Sequence, residues 1–192
     1  MSIALFGGTF DPIHHGHLIL ARDAIEQLGV ERVIFIPAAI SPHKLATAPA
    51  PPAVRSAMVA AAIAGEPRFV QDDQELGRAG PSYTVDTVEA IRAQHPGVPL
   101  LYLIGEDNVA KLDSWHRVGD LRRLVEFVVF DRAAGLGTGT DGFRTLTRRV
   151  DISSTEIRER IAHGASIRYL VPEPVRALIE QNRLYRPQTA LF

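Results

Sequence analysis

Along the chain, apolar residues fall into short continuous runs, and between the runs they recur at helical spacing. That is the pattern of buried strands alternating with amphipathic helices. Ser2 to Phe6 (SIALF) is the first run and ends in two glycines. From Leu18 the apolar positions Leu18, Ala21, Ile25 and Leu28 predict a helix, with Arg22, Asp23 and Glu26 on its other side. Gly29 stops it, and Arg32 to Pro37 (RVIFIP) reads as a second buried strand, completing a βαβ unit. Ala53 to Ala64 predicts an alanine-rich helix, and Phe69-Val70 a short strand. Val85, Val88 and Ile91 make one face of a helix that starts after Gly80-Pro81, capped by Ser82 or Thr84, and runs to about His95. Leu100 to Ile104 (LLYLI) is another buried strand, followed by a short helix, Asn108 to Leu112. Leu121 to Val125 predicts a further helix, and Glu126 to Phe130 (EFVVF) the fifth strand.

Beyond it, Gly135 to Gly142 reads as a flexible loop. Gly137, Gly139 and Gly142 spell GxGxxG there, but FRTLTRRV follows, a short strand-like run and not the long helix a dinucleotide fingerprint needs. Ser153 and Glu156 have capping-box spacing at the start of a helix that Gly164 ends, and Pro174 opens a last helix, Val175 to Gln181. Five buried strands alternating with helices predict an α/β fold, a doubly wound parallel five-stranded sheet with helices on both faces. Residues 1 to 186 are expected to form one domain with a C-terminal helical extension, and 187 to 192 a disordered tail.

Charge removes some partners from this picture. With 21 basic against 22 acidic residues and a net charge of -1, no global field draws the chain to nucleic acid or an anionic membrane, so any phosphate binding must be local. There is no cysteine, which excludes disulfides and thiol chemistry and fits a reducing compartment. No apolar run approaches the roughly 18 residues of a membrane span, and no signal pattern is present, so the cytoplasm is expected. The sequence leaves the oligomeric state open, and a homo-oligomer is compatible with it.

The candidate chemistry gathers where the first strand meets the first helix, in GGTFDPIHHGH, Gly7 to His17. Glycine lets backbone approach a ligand, and a helix N-terminus offers N–H groups to an anion, so the natural guest is a phosphate. His14 and His17, three residues apart, share a face if that turn is helical. The plainer alternatives are a surface helix end or a metal pair, although a metal would want a third ligand. Several other residues carry paired readings. The long loop after the second strand, 38 to 52, with His43-Lys44 near its start, is a lid or a connector. Asp107, at a strand end after Gly105, is a ribose ligand or a helix cap. Trp115, the only tryptophan, is a core plug or a stacking platform. Ser154, Thr155 and Arg158 would form a second anion site at a helix N-terminus.

Residues 7 to 17 resemble the GGTFDPxHxGH signature of bacterial nicotinate mononucleotide adenylyltransferases, of the HxGH nucleotidyltransferase superfamily. PHK at Pro42-His43-Lys44, PSYT at 81 to 84, IGED at 104 to 107, Trp115-His116 and ISSTEIR at 152 to 158 match further motifs in the expected order. The resemblance implies a Rossmann-like core that transfers AMP from ATP to nicotinate mononucleotide, giving nicotinate adenine dinucleotide and pyrophosphate, with Mg2+ carried by the ATP phosphates and no protein metal site. It implies His14, His17, Lys44 and Arg158 as catalytic residues. It assigns ATP to Gly7, Gly8, Thr9, Phe10, Gly16, Gly105, Asp107, Arg132, Ile152, Ser154 and Thr155. The mononucleotide falls to His43, Ser82, Tyr83, Thr84, Trp115 and His116, with His116 acting through its backbone N–H. The family usually has a proline after the arginine matching Arg132, and this chain has Ala133 there, which leaves the geometry at Arg132 open. The alternatives are an enzyme that also takes nicotinamide mononucleotide, a sister transferase using phosphopantetheine or a cytidylyl donor, which should lack PHK, PSYT and Trp115, or a catalytically silent nucleotide-binding module.

Overall fold

The computed structural model describes residues 1–39, 49–78, 80, 82–131 and 142–187. Each of the five apolar runs forms a strand, β1 (Ile3–Gly8), β2 (Arg32–Pro37), β3 (Phe69–Gln71), β4 (Leu100–Gly105) and β5 (Glu126–Asp131), and a further strand follows, β6 (Arg144–Thr147). The helices are α1 (His15–Leu28), α2 (Pro52–Ile63), α3 (Thr84–Gln94), α4 (Glu106–Val109), α5 (Val118–Leu124), α6 (Ser154–Ala162) and α7 (Glu173–Gln181), with a 3-10 turn at Leu112–Ser114. All strand pairs are parallel, in the order β3-β2-β1-β4-β5-β6.

The sheet therefore has six strands, not five. The FRTLTRRV segment supplies the sixth, an edge strand paired with β5 from Val128↔Arg144 to Asp131↔Thr147. Only its Leu146 is buried, so it shows no apolar run in the sequence. Alternation along β1 sends Ala4 and Phe6 to one face, where they pack with Leu20, Ala24, Met58, Ile157 and Val175 from α1, α2, α6 and α7. Ile3 and Leu5 go to the other face, against Val85, Val88, Ile91 and Leu121 of α3 and α5.

Several boundaries differ from those the sequence predicts. β1 continues through Gly7 and Gly8, and α1 starts at His15, ahead of Leu18. The expected Asn108 to Leu112 helix is instead the short α4 followed by the 3-10 turn, α5 starts at Val118, and α7 starts at Glu173. Asp23 is not on a polar side: it is buried, and Arg148 just past β6 donates to both its oxygens at 2.5 and 2.7 Å. That pair ties the β6 exit to α1. Residues 135–141 and the tail from 188 lie outside the described residues.

Strand order reverses between β1 and β4. In a parallel sheet each helix following a strand begins at the strand C-terminal edge, so the reversal opens a crevice there, lined by helix N-termini.

Candidate active site

β1 reaches this edge through Gly7. A Cβ at Gly7 would lie 2.2 Å from the Tyr102 hydroxyl, so only glycine lets that β4 side chain pass beneath the turn. The chain then turns through Phe10, held at φ 47, an uncommon conformation for phenylalanine. Three side chains from distant elements grip the turn. Arg158 Nη1 donates to the Asp11 carbonyl at 2.8 Å, the Ser154 hydroxyl to the Pro12 carbonyl at 2.9 Å, and the Tyr185 hydroxyl to Asp11 Oδ1 at 2.6 Å.

His14 sits at the N-cap of α1, and its ring lies 3.7 Å from that of His17, nearly stacked. The His14 backbone N–H donates to His17 Nδ1 at 3.2 Å. In neutral His17 the proton therefore resides on Nε2, making that nitrogen a donor. The rings of Phe6 and Phe10 flank His17 at 5.9 and 5.1 Å. A Cβ at Gly16 would come within 2.9 Å of the His14 ring. Adding that methyl overpacks a buried position, so Gly16→Ala is expected to lower Tm modestly while displacing His14 and lowering kcat about tenfold or more. Unchanged kcat in a folded variant would show that the His14 position does not matter.

α6 supplies the second helix N-terminus. Ser153 is its N-cap and accepts from the Glu156 N–H at 3.1 Å, as the sequence spacing predicts. Ser154 and Thr155 are the first helical residues. Arg158 Nη2 donates to Thr155 Oγ1 at 3.1 Å, so two of the five guanidinium donors are bound to protein.

Across the crevice, Trp115 is half-buried, edge-on to Tyr102 and Phe127 at 6.0 and 6.2 Å, so it is both plug and cleft wall. The ring of His116 lies 4.2 Å from that of Tyr83. Neither Ser82 nor Thr84 caps α3. Tyr83 holds the N-cap position without a side-chain bond, and the Ser82 hydroxyl donates to the Glu75 carbonyl at 3.3 Å. Thr84 shares a hydrogen bond with the Tyr102 hydroxyl, whose pKa burial pushes up. Asp107 is exposed within the first turn of α4, whose cap is Gly105.

Glu75 is buried at this wall and accepts from the Thr87 hydroxyl at 2.8 Å. Burial raises its pKa above the ordinary 4.5, against the pull of Thr87 and Arg78. The folded state thus holds this proton more tightly than the unfolded chain, and stability falls as pH rises from about 4.5 through the folded pKa. Glu75→Gln, which stays neutral, is expected to raise Tm at neutral pH by about 2–4 °C per kcal/mol recovered and to flatten that decline. A lower Tm than wild type at neutral pH would contradict it.

One cleft of about 1540 Å³ unites these parts. One side is formed by Gly7, Gly8, Thr9, Phe10, His14, Gly16, His17, Ile152, Ser154, Thr155 and Arg158, and the other wall by Ser82, Tyr83, Thr84, Gly105, Asp107, Trp115 and His116. His43, Lys44 and Arg132 lie outside the described residues. Sequence reasoning missed Glu75, Tyr102 and Tyr185, all cleft-lining, and the fully buried Arg55 of α2. Only Arg55 left a signal: it stands on the apolar stripe of its helix with Met58, Val59 and Ile63.

A family model described as "Cytidylyltransferase-like" matches residues 5–160. The "Probable nicotinate-nucleotide adenylyltransferase" of Trichlorobacter lovleyi is 40% identical, covering 97% of this chain and 100% of its own length. The protein of the same name from Rubrobacter xylanophilus is 43% identical, covering 97% and 92%. The solved structure of Plasmodium falciparum nicotinic acid mononucleotide adenylyltransferase complexed with NaAD superposes with a TM-score of 0.76 over 96% of this chain and 97% of that one. At 19% identity that likeness concerns the fold alone. By the relatives at 40% identity and above, matched over nearly their whole length, this chain belongs to the nicotinate-nucleotide adenylyltransferase family of Cytidylyltransferase-like proteins.

Proposed function

We propose that the protein transfers the adenylyl group of ATP to nicotinate mononucleotide, releasing pyrophosphate and forming nicotinate adenine dinucleotide, with residues 1 to 186 as one nucleotidyltransferase domain. The observation that carries this reading is the single cleft at the β1/β4 reversal. Its roughly 1540 Å³ exceeds the about 300–1,000 Å³ of a pocket for one small ligand, leaving room for two nucleotides.

A 5′-phosphate oxygen of the mononucleotide attacks the α-phosphorus. The new P–O bond forms as the α–β bridge breaks, and its electron pair leaves on pyrophosphate. No covalent enzyme intermediate is needed, so catalysis is positioning and charge stabilisation. His17 donates from Nε2 to the α-phosphate, His14 supports it, and the N-termini of α1 and α6 with Arg158 hold the β- and γ-phosphates. Asp107 receives a ribose, and Trp115 the pyridine ring. His43, Lys44 and Arg132 are carried in this proposal by the motif match alone.

Mg2+ fits this site as a passenger of ATP. The phosphate side is lined by N–H groups, imidazoles and a guanidinium, which suit anionic oxygens, so phosphate oxygens would supply ligands to the ion. The ion would neutralise charge on the phosphate chain. No helix among the described residues is long and apolar enough to cross a membrane, and we place the enzyme in the cytoplasm.

The test is a turnover assay with ATP, Mg2+ and nicotinate mononucleotide, following pyrophosphate and the dinucleotide. Absence of both products would refute the reading. Within it, Arg158→Ala is expected to raise KM for ATP and lower kcat, together by about ten- to a hundredfold for a lost charge-assisted bond, with KM for the mononucleotide little changed. Arg158→Lys should rescue poorly, having no planar fork. Equal damage to both substrates would reduce Arg158 to a prop for Asp11.

A further inference from the structure

Arg55 plays no part in the chemistry above, yet it is the largest fully buried side chain among the described residues. A guanidinium buried without compensation is strongly unfavourable, so its partners reveal what holds it there. Nε donates to the Ala50 carbonyl at 2.9 Å, Nη1 to the Thr9 carbonyl at 2.7 Å and Nη2 to the Ala39 carbonyl at 3.0 Å. Burial pulls its pKa down, and the Asp11 carboxylate and Tyr185 push it back up. Asp11 is in turn fixed: its Oδ1 accepts from the Ala50 N–H at 3.1 Å and from the Tyr185 hydroxyl at 2.6 Å. The Ala50 residue thus bonds to the cation through its carbonyl and to the anion through its amide.

The Thr9 bond is the informative one. In a trans peptide the carbonyl and the following N–H point to opposite sides, so drawing the Thr9 carbonyl onto Arg55 turns the Phe10 N–H away from Arg55. Arg55 is fully enclosed, whereas Thr9 and Phe10 line the cleft. The side away from Arg55 is therefore the side of the cleft that Thr9 and Phe10 line. Phe10, at φ 47, holds a conformation that a phenylalanine keeps only when its surroundings impose it, and Arg55 is a fixed point from which to impose it.

We propose that Arg55, steadied by Asp11 and Tyr185, is a positioning residue that aims the Thr9–Phe10 peptide so that the Phe10 N–H faces the phosphates of ATP. The inference rests on the adenylyltransferase reading only for the identity of the phosphates. It separates the two substrates: damage to Arg55 reaches the phosphate side and spares the Trp115 side.

The test measures two dissociation constants on the full chain, for α,β-methylene-ATP with Mg2+ by calorimetry and for nicotinate mononucleotide by fluorescence of the single tryptophan, Trp115. Arg55→Lys keeps the charge but cannot span three carbonyls. It is expected to weaken the ATP analogue about tenfold or more, the scale of a lost charge-assisted bond, with mononucleotide binding within about twofold of wild type. Analogue binding within about twofold of wild type in the folded variant overturns the proposal, as does equal weakening of both ligands. If Arg55→Lys does not fold, Tyr185→Phe decides. It removes one hydroxyl and should give the same split at about three- to tenfold, and unchanged analogue binding overturns the proposal. A wild-type protein that binds the analogue but makes no dinucleotide would defeat the functional reading, while the analogue constants would still judge Arg55.

Discussion

Replacing His17 by alanine is expected to lower kcat by about a hundredfold or more, the scale of losing one donor aimed at developing charge, while circular dichroism stays native. The reason lies in how the ring is held. Nδ1 is engaged by the His14 N–H, the ring packs against His14, Phe6 and Phe10, and the neutral ring carries its proton on Nε2. A side chain fixed in this way is preorganised, so its hydrogen bond costs no reorientation as charge gathers on the α-phosphate. Removing it should affect kcat more than either KM, because the donor matters most in the transition state. His17→Asn, which can still donate but lacks the ring packing, should recover part of the loss. A folded His17→Ala protein with near-normal kcat would remove His17 from the chemistry.

The second large effect is expected between substrates: kcat/KM for nicotinate mononucleotide should exceed that for the nicotinamide form by roughly thirty- to several-hundredfold. α3 begins at Thr84 on the cleft wall, beside Trp115 and the adjoining Tyr83 and His116 rings. Its first N–H groups and positive end favour a carboxylate on the pyridine ring. The amide presents NH2 where the site presents donors, leaving a donor unpaired and losing a charge-assisted bond, together about 2–4 kcal/mol. At about 1.4 kcal/mol per tenfold this gives the stated range. Trp115→Ala should weaken both mononucleotides alike, since ring stacking does not distinguish them. Rates within about threefold of each other would favour an enzyme that takes both forms.

The residues that proved legible in the sequence are those whose signal is local. β2 runs from Arg32 to Pro37, where its apolar run lies, and Ser153 caps α6 at the distance its spacing to Glu156 implies. The two histidines, the glycines of β1 and the α6 residues do meet in one cleft. What escaped was decided by tertiary contacts. FRTLTRRV reads as strand-like, but its place as a sixth strand beside β5 rests on one buried residue, Leu146, and Asp23 reads as a solvent-facing residue until Arg148 is folded against it. Ser82 has the chemistry of a cap, but the Glu75 carbonyl takes its hydroxyl. No periodicity could announce that Tyr185 bonds to Asp11, because a hydroxyl near one end of a chain carries no mark of a partner near the other.

That last bond also has a consequence for the order in which the protein becomes competent during synthesis. The turn at Asp11-Pro12 is translated well before its clamps Ser154, Arg158 and Tyr185, which follow it by 142, 147 and 174 positions. Loop closure over such spans delays their contacts until most of the sheet exists. A nascent chain halted before α6 would display Gly7 to His17 without the partners that shape them, and nucleotide affinity should appear only after α6, and fully only after Tyr185, has emerged from the ribosome.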